Sequence, residues 1–270
     1  MSTTSQPKLR PLYVTRALMR HWLLIFIALY GMFNLLPFLA PVLMKIGWSG
    51  GGNAIYIFYS ALCHQMVQRS FFMFGKHGMY TLDQLPVALT GNTGTDTLLL
   101  RNFRGNDVLG WKVAWSDQMA SMYTGIWLVG VVYWGVSRVR PPKPISIWLF
   151  GLLALPMVLD GSTHMISDMF GGLTTGFRFQ NAGLASLTKH VMSDSFYTGD
   201  ALGSFNSWMR LLTGLLFAVG AVWLAFPLMD RYTRATLVDI DTKIEQVNEA
   251  QRRLSAQREQ LLNQVHHPGG

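Results

Sequence analysis

Trp22 to Met44 is a run of 23 residues without a charged side chain. A bilayer's hydrocarbon core, about 30 Å thick, is crossed by roughly 20 helical residues, so this run predicts a membrane-spanning helix. Pro37 and Pro41 are expected to kink it, and Asn34 is its one strongly polar residue. Three further apolar runs follow: Met119–Val136, Ile145–Leu159 and Ser207–Met229. Only 13% of the 270 residues are charged, against about a quarter in a soluble domain, so the composition points the same way. The net charge of +8 does not imply nucleic acid, because the basic residues are short clusters beside apolar runs, where a membrane protein places them. One cysteine excludes a disulfide within the chain and any site built from cysteine alone.

Residues 1–21 carry four Lys/Arg and lack a small-residue cleavage site after a short apolar core, so no removable signal peptide is read there. The segment 54–74 is apolar and aromatic but broken by Cys63, His64, Gln65, Gln68 and Arg69. We expect it to be a re-entrant or interfacial helix on the outer side of four full spans, with a fifth crossing as the alternative. With four crossings, residues 1–21, the Arg138–Lys143 cluster and the chain after 230 share one side, which the positive-inside rule makes cytoplasmic. A crossing at 54–74 would put that cluster outside. Residues 75–115 are expected to be a long connection with a turn at Gly91-Asn92-Thr93-Gly94, and 160–207 a mixed, Gly-rich stretch without a period.

From Leu237 the residues at 237, 240, 244, 247, 251, 254, 258, 261 and 265 fall in alternating steps of three and four. That is a heptad seam, with Gln251 and Arg258 as its polar members, and it predicts a coiled coil through which the chain meets its own copies or a protein partner. A lone amphipathic helix fits the pattern too. The expected organisation is therefore a basic N-terminus (1–21), a transmembrane helical domain (22–229), a coiled-coil helix (230–265) and a flexible tail (266–270). The fold class is all-α, a polytopic bundle in the inner (cell) membrane with both termini cytoplasmic.

Ionisable residues gather at the outer ends of these spans: Cys63, His64 and Arg69 in the 54–74 segment, Asp117, Asp160, His164 and, one turn into the last span, Arg210; Asp168 follows His164 at the same level without being one of the candidates. Such groups are costly near a membrane unless paired, so all seven are candidate ligand-binding residues, with Asp117 or Asp160 against Arg69 or Arg210 as the first pairings to examine. Each has a plainer explanation. Arg210 can snorkel to the headgroups, Asp160-Gly161 can be a helix stop capped by Ser162 or Thr163, and His64 can be a structural histidine. The scattered methionines read as packing. If residues 160–164 are helical, Asp160 and His164 share a face and, with His64, offer an N, N, O set suited to zinc, with Asp117 as fourth ligand or base. A Cys63–His64 nucleophile pair is disfavoured, because neighbours on a helix point about 100° apart. No cofactor is assigned.

The stretch Tyr59-Ser60-Ala61-Leu62-Cys63-His64-Gln65-Met66-Val67-Gln68-Arg69-Ser70-Phe71-Phe72-Met73-Phe74-Gly75 resembles the opening motif of an uncharacterised prokaryotic membrane-protein family, domain of unknown function 2085. That family reads Cys-His-Gln, three variable residues, Arg-Ser-Phe, then Phe-Gly. Tyr123-Thr124-Gly125-Ile126-Trp127, Leu159-Asp160-Gly161 and Arg210-Leu211-Leu212-Thr213-Gly214 resemble its later blocks, so the likeness covers roughly 54–227. Many members carry a Cys-x-Arg-Cys before Thr-Gly. Here those places hold Ala120, Ser121, Met122 and Tyr123, so the resemblance implies no thiolate site. It implies a shared architecture and pocket around His64, Arg69, Asp160 and Arg210, and no known activity. Two functions stay open: a non-catalytic accessory or scaffold acting through the C-terminal helix, and a membrane-embedded enzyme, metal-dependent or not, that uses His64, Asp117, Asp160 and His164 on a lipid or small molecule.

Overall fold

The structure is a computed structural model that describes residues 9–266, with side chains to 263. Residues 1–8, the side chain of Val265 in the heptad seam and all but the backbone of His266 in the 266–270 tail lie outside the described residues. The chain is mostly helical, 72% helix and 5% strand. In order it forms α1 (Leu9–Arg20), α2 (Trp22–Lys45), α3 (Ser49–Tyr59), β1 (Ser70–Met73), α4 (Thr93–Asn102), β2 (Gly105–Asn106), β3 (Gly110–Ser116), α5 (Asp117–Val139) and α6 (Ile147–Gly171). Three short helices follow, α7 (Phe177–Gln180), α8 (Ala182–Leu187) and α9 (Asp194–Tyr197), before α10 (Phe205–His266). Among the described residues, four helices are long and apolar enough to cross a membrane: α2, α5, α6 and α10. Two compact units are distinguished: residues 27–226, and the residues up to Phe26 together with those from Pro227 onward.

Prolines inside the apolar helices remove N–H donors and orphan the carbonyl four residues earlier. In lipid no water replaces the lost bond, so another group must. Pro37 leaves the Phe33 carbonyl free, and Tyr59 Oη donates to it at 2.6 Å. Pro227 leaves the Trp223 carbonyl free, and the Ile145 amide donates to it at 3.2 Å. Tyr59 also packs edge-on against Trp115, which stacks on Tyr123, so the pinned carbonyl lies beside an aromatic cluster. Tyr59→Phe is therefore expected to cost about 1–3 kcal/mol, the penalty for an unpartnered buried acceptor. The cost should shrink in a Pro37→Ala background, where residue 37 again supplies the N–H. Thermal melts of the four proteins in detergent check this, and equal costs in both backgrounds would refute the pairing.

Three expectations are corrected. The chain is not all-α, because β1, β3 and β2 make an antiparallel sheet in that order. Its register pairs Ser70 with Ser116 and Phe72 with Lys112, with a bulge between. Nor is 54–74 one helix: α3 ends at Tyr59, and Gln65 takes a left-handed φ of 51° that no continuing α-helix allows. A single 3-10 turn at Val67–Arg69 then leads into β1. Eleven helical residues span about 16 Å, too short to be a crossing. The 75–115 connection contains α4 and a β2–β3 hairpin in which Gly110, at φ 79°, closes the three-residue loop and Asn106 Oδ1 accepts from the amides of Val108 and Leu109. A Cβ on Gly110 would stand 2.2 Å from the Met73 carbonyl, so only glycine fits.

The third correction is at Asp160. α6 does not stop there but continues to Gly171, because Ser162 and Thr163 bond back to the carbonyls of Val158 and Leu159 (both 2.6 Å) instead of capping a new turn.

Helices α5 and α10 approach closely where their residues are small. A Cβ on Gly125 would lie 2.9 Å from Ala218 Cβ, and one on Gly214 3.0 Å from the Gln118 carbonyl. Ser121 Oγ donates to the Leu211 carbonyl at 2.5 Å across the same seam. This contact sets the first turn of α5 beside the first turns of α10, and so sets Asp117 beside Arg210.

Candidate functional site

Asp117 is fully buried at the N-terminus of α5, where the helix dipole favours a carboxylate. Arg210 Nε donates to both of its oxygens, at 2.8 and 2.9 Å, Ser207 Oγ to Oδ2 at 3.2 Å and the Gln118 amide to Oδ1 at 2.8 Å. The other edge of the Arg210 guanidinium holds Asp200, with Nη1 to Oδ1 at 2.9 Å and Nη2 to the main-chain carbonyl at 2.6 Å. Arg69 Nε takes the second Asp200 oxygen at 2.9 Å, and its Nη1 and Nη2 grip Asp168 at 2.9 and 3.1 Å. The result is an alternating ladder, Asp168–Arg69–Asp200–Arg210–Asp117. It joins the turn before β1, the loop between α9 and α10, and the long helices α5, α6 and α10.

The charges hold one another in place. Burial alone would raise the Asp200 carboxyl, but Arg69 and Arg210 overcome it and hold the group well below the usual carboxylate range. Burial likewise opposes the charge on Arg69, and the Asp200 and Asp168 carboxylates more than restore it.

A second cluster lies along α6. Asp160 and His164 share a face as expected, with His164 Nε2 3.9 Å from Asp160 Oδ1. Arg178, from α7, bonds Asp160 Oδ1 and stands 3.1 Å from His164 Nε2. An arginine can only donate, so Nε2 is the acceptor and the imidazole proton sits on Nδ1. Asp160 Oδ2, His164 Nδ1 and Arg178 Nε have no hydrogen-bond partner among the described residues. Arg178 is placed by two asparagines that read its carbonyl: Asn181 Nδ2 at 2.7 Å and Asn206 Nδ2 at 2.6 Å. Asn206 also holds the Gly199 carbonyl at 2.9 Å, next to Asp200, and so ties both clusters to the start of α10. Counting Arg69, Arg178 and Arg210 against Asp117, Asp160, Asp168 and Asp200, the assembly carries no excess positive charge to draw an anion.

Of the seven sequence candidates, Arg69, Asp117 and Arg210 meet through Asp200, and Asp160 and His164 meet through Arg178. The pairings differ from those expected in two respects, since Arg69 takes Asp168 and Asp200, and Asp160 takes Arg178. Arg210 does not snorkel, being 3% exposed and paired at both edges. Among the described residues neither Cys63 nor His64 bonds a member of either cluster, although His64 lies within electrostatic reach of Arg69, Arg210 and Asp200. Cys63 is buried in the aromatic cluster, where its Sγ accepts from the amides of Gln65 and Ser116. His64 is exposed, and its Nδ1 accepts from the Met66 amide. The zinc set of His64, Asp160 and His164 is not assembled: among the described residues no three His, Cys, Asp or Glu side chains are gathered to hold a metal ion.

Asp200, Arg178, Asn181 and Asn206 lie outside the residues that sequence reasoning gathers at this level; Asp168 is gathered there but is not one of the seven candidates. Charge counting points to the acids. Every acidic residue before Glu245 is an aspartate, and few are available to neutralise Arg69 and Arg210 once those are taken as buried.

No family model matches the chain, and no solved structure matches it. It is 26% identical over 153 residues to the uncharacterized protein MJ1492 of Methanocaldococcus jannaschii, an alignment that covers 55% of this chain and 76% of that protein.

Proposed function

We propose that this is a multi-pass protein of the cell membrane that works as a non-catalytic accessory or scaffold and pairs with another copy of itself through the end of α10. The observation that carries this reading is the exposed half of the heptad seam. α10 is unbroken to His266, and its Leu254 and Leu261 are 52% and 63% exposed. The first half of the seam has a partner inside the chain. Ile240 and Ile244 are buried, Arg16 of α1 pairs with Asp241 at 2.7 Å, and Tyr13 faces Ile244 across a shared cleft. Nothing among the described residues covers Leu254 or Leu261. Bare leucines at a heptad spacing call for a second helix.

Four crossings, with α3 and the sheet on the outer side, keep the Arg138–Lys143 cluster and both termini cytosolic, in line with the positive-inside rule. The ladder then lies near the outer leaflet as a lock among helices. Membership of the domain of unknown function 2085 family, from the Cys63-His64-Gln65 and Arg210-Leu211-Leu212-Thr213-Gly214 motifs, is part of the same proposal.

Cys63 is buried, so cysteines placed on the tail of the full-length protein report cleanly. Leu254→Cys and Leu261→Cys are expected to form disulfide-linked dimers in native membranes, while exposed Ser255→Cys does so far less. Leu254→Asp with Leu261→Asp should return the detergent-purified protein to a monomer. Equal cross-linking at all three positions, or an unchanged oligomer in the double variant, would overturn the reading.

A second reading, an enzyme at the outer face, retains one support: the unpartnered polar atoms of Asp160, His164 and Arg178. It loses Asp117 as a base, because both oxygens of that carboxylate are occupied.

A further inference from the structure

Gln68 is 1% exposed, and neither Nε2 nor Oε1 of its carboxamide has a hydrogen-bond partner among the described residues. A buried amide left unbonded is expensive, and native proteins satisfy nearly all such groups. Gln68 lies in the wall of a cavity of about 450 Å³ within the unit 27–226, a volume in the range of small-molecule sites. Leu82, Val87, Leu89 and Phe179 supply the apolar part of the wall, and Thr81, Asp83, Thr174 and Thr198 complete it. Asp200 reaches the same cavity, but both of its carboxylate oxygens are engaged by Arg69 and Arg210. The one buried polar group on the wall that is still unsatisfied is therefore neutral, and it offers a donor and an acceptor side by side.

We propose that this cavity binds a compact neutral molecule with an apolar body and an amide-type edge, such as a lactam, primary amide or cyclic imide, which pairs its own acceptor and donor with Gln68. An ion is disfavoured on both counts. A carboxylate would face a paired, net-acidic assembly, and a cation would find a carboxylate without an ion pair only at Asp83, which is exposed to solvent and so attracts a charge weakly. The site is separate from the C-terminal helix, so it stands or falls independently of the self-pairing proposed above.

The probes are ε-caprolactam, whose cis-amide edge complements a carboxamide, and cycloheptanone, the same ring without the N–H. Both are titrated into the detergent-purified full chain while its thermal midpoint is followed. Caprolactam is expected to raise the midpoint saturably and to bind about tenfold tighter than cycloheptanone, the factor set by one ordinary hydrogen bond. Gln68→Met removes the unpartnered atoms at nearly constant volume and should erase that difference. Leu89→Trp, which fills the cavity from another wall, should abolish both shifts and serves as the second variant if Gln68→Met does not fold. Equal binding of the two rings to the wild type, unchanged discrimination in Gln68→Met, or no shift by caprolactam at tens of millimolar would each overturn the proposal.

Discussion

Arg210→Ala is expected to cost about 3–5 kcal/mol, because it strands two buried carboxylates at once. Asp117 loses both Nε bonds and keeps only Ser207 and the Gln118 amide, while Asp200 is left with Arg69 alone. For a chain of this size a loss of that order lowers the thermal midpoint by roughly 10 °C or more. Arg210→Lys should recover only part of it, since an ammonium cannot span Asp117 and Asp200 as the planar fork does. The informative combination is Arg210→Met with Asp117→Asn and Asp200→Asn, which removes the charges together. Buried ion pairs replaced as a set often lose little, so the triple variant should be more stable than Arg210→Ala. Thermal melts followed by tryptophan fluorescence check the series. If Arg210→Ala melts within a degree or two of the wild type, the ladder is not what holds these helices.

The long helices are legible because membrane spans are written in uninterrupted apolar residues, a signal that needs no tertiary context. α2 and α5 begin and end within a few residues of their apolar runs. The apolar run of α6 ends twelve residues, about three turns, before the helix does, since Asp160, Ser162 and His164 look like an exit from a helix. Only the later partners, Arg178 for Asp160 and the helix's own carbonyls for the hydroxyls, make those residues tolerable inside one. The sheet escapes sequence reasoning for a related reason. β3 is buried along almost its whole length, so Gly110–Ser116 lacks the alternation that marks a strand with one wet face. Its partner β1 has four residues and sits behind a motif rich in helix-compatible types.

For the site, the sequence names the expensive residues but not their partners. Cost is a property of one side chain at one depth, whereas pairing depends on where α7 and the 198–204 loop return. Asn181, at a left-handed φ of 46°, turns that return, and asparagine is a residue that tolerates such a turn.

Lys112 carries the second large prediction. It is fully buried on β3, and its Nζ donates to the carbonyls of Gln65 and Arg101, each at 2.7 Å. Neither acceptor is charged, and the two N–H groups of a neutral amine match the two carbonyls, whereas an ammonium has a third N–H beyond those two bonds. Burial first, then the nearby charge of Arg104, pulls its pKa from 10.5 down to about 7. In the unfolded chain the group keeps its ordinary value. Between about pH 7 and 10.5 the unfolded state therefore binds a proton that the folded state does not, and stability rises with pH across that window. Below it both states are protonated and the cost of burying the charge is present in full. Above it that cost is gone.

A tenfold difference in proton affinity between the two states is worth about 1.4 kcal/mol, so the rise across the window amounts to roughly a few kcal/mol. Lys112→Met leaves the Gln65 and Arg101 carbonyls unpartnered, a penalty that does not depend on pH, and should flatten the slope while lowering the alkaline plateau. Denaturation midpoints of wild type and variant from pH 6 to 10 separate the two effects. Parallel curves would mean that Lys112 stays charged in the fold, and that the two carbonyls are holding an ammonium rather than an amine.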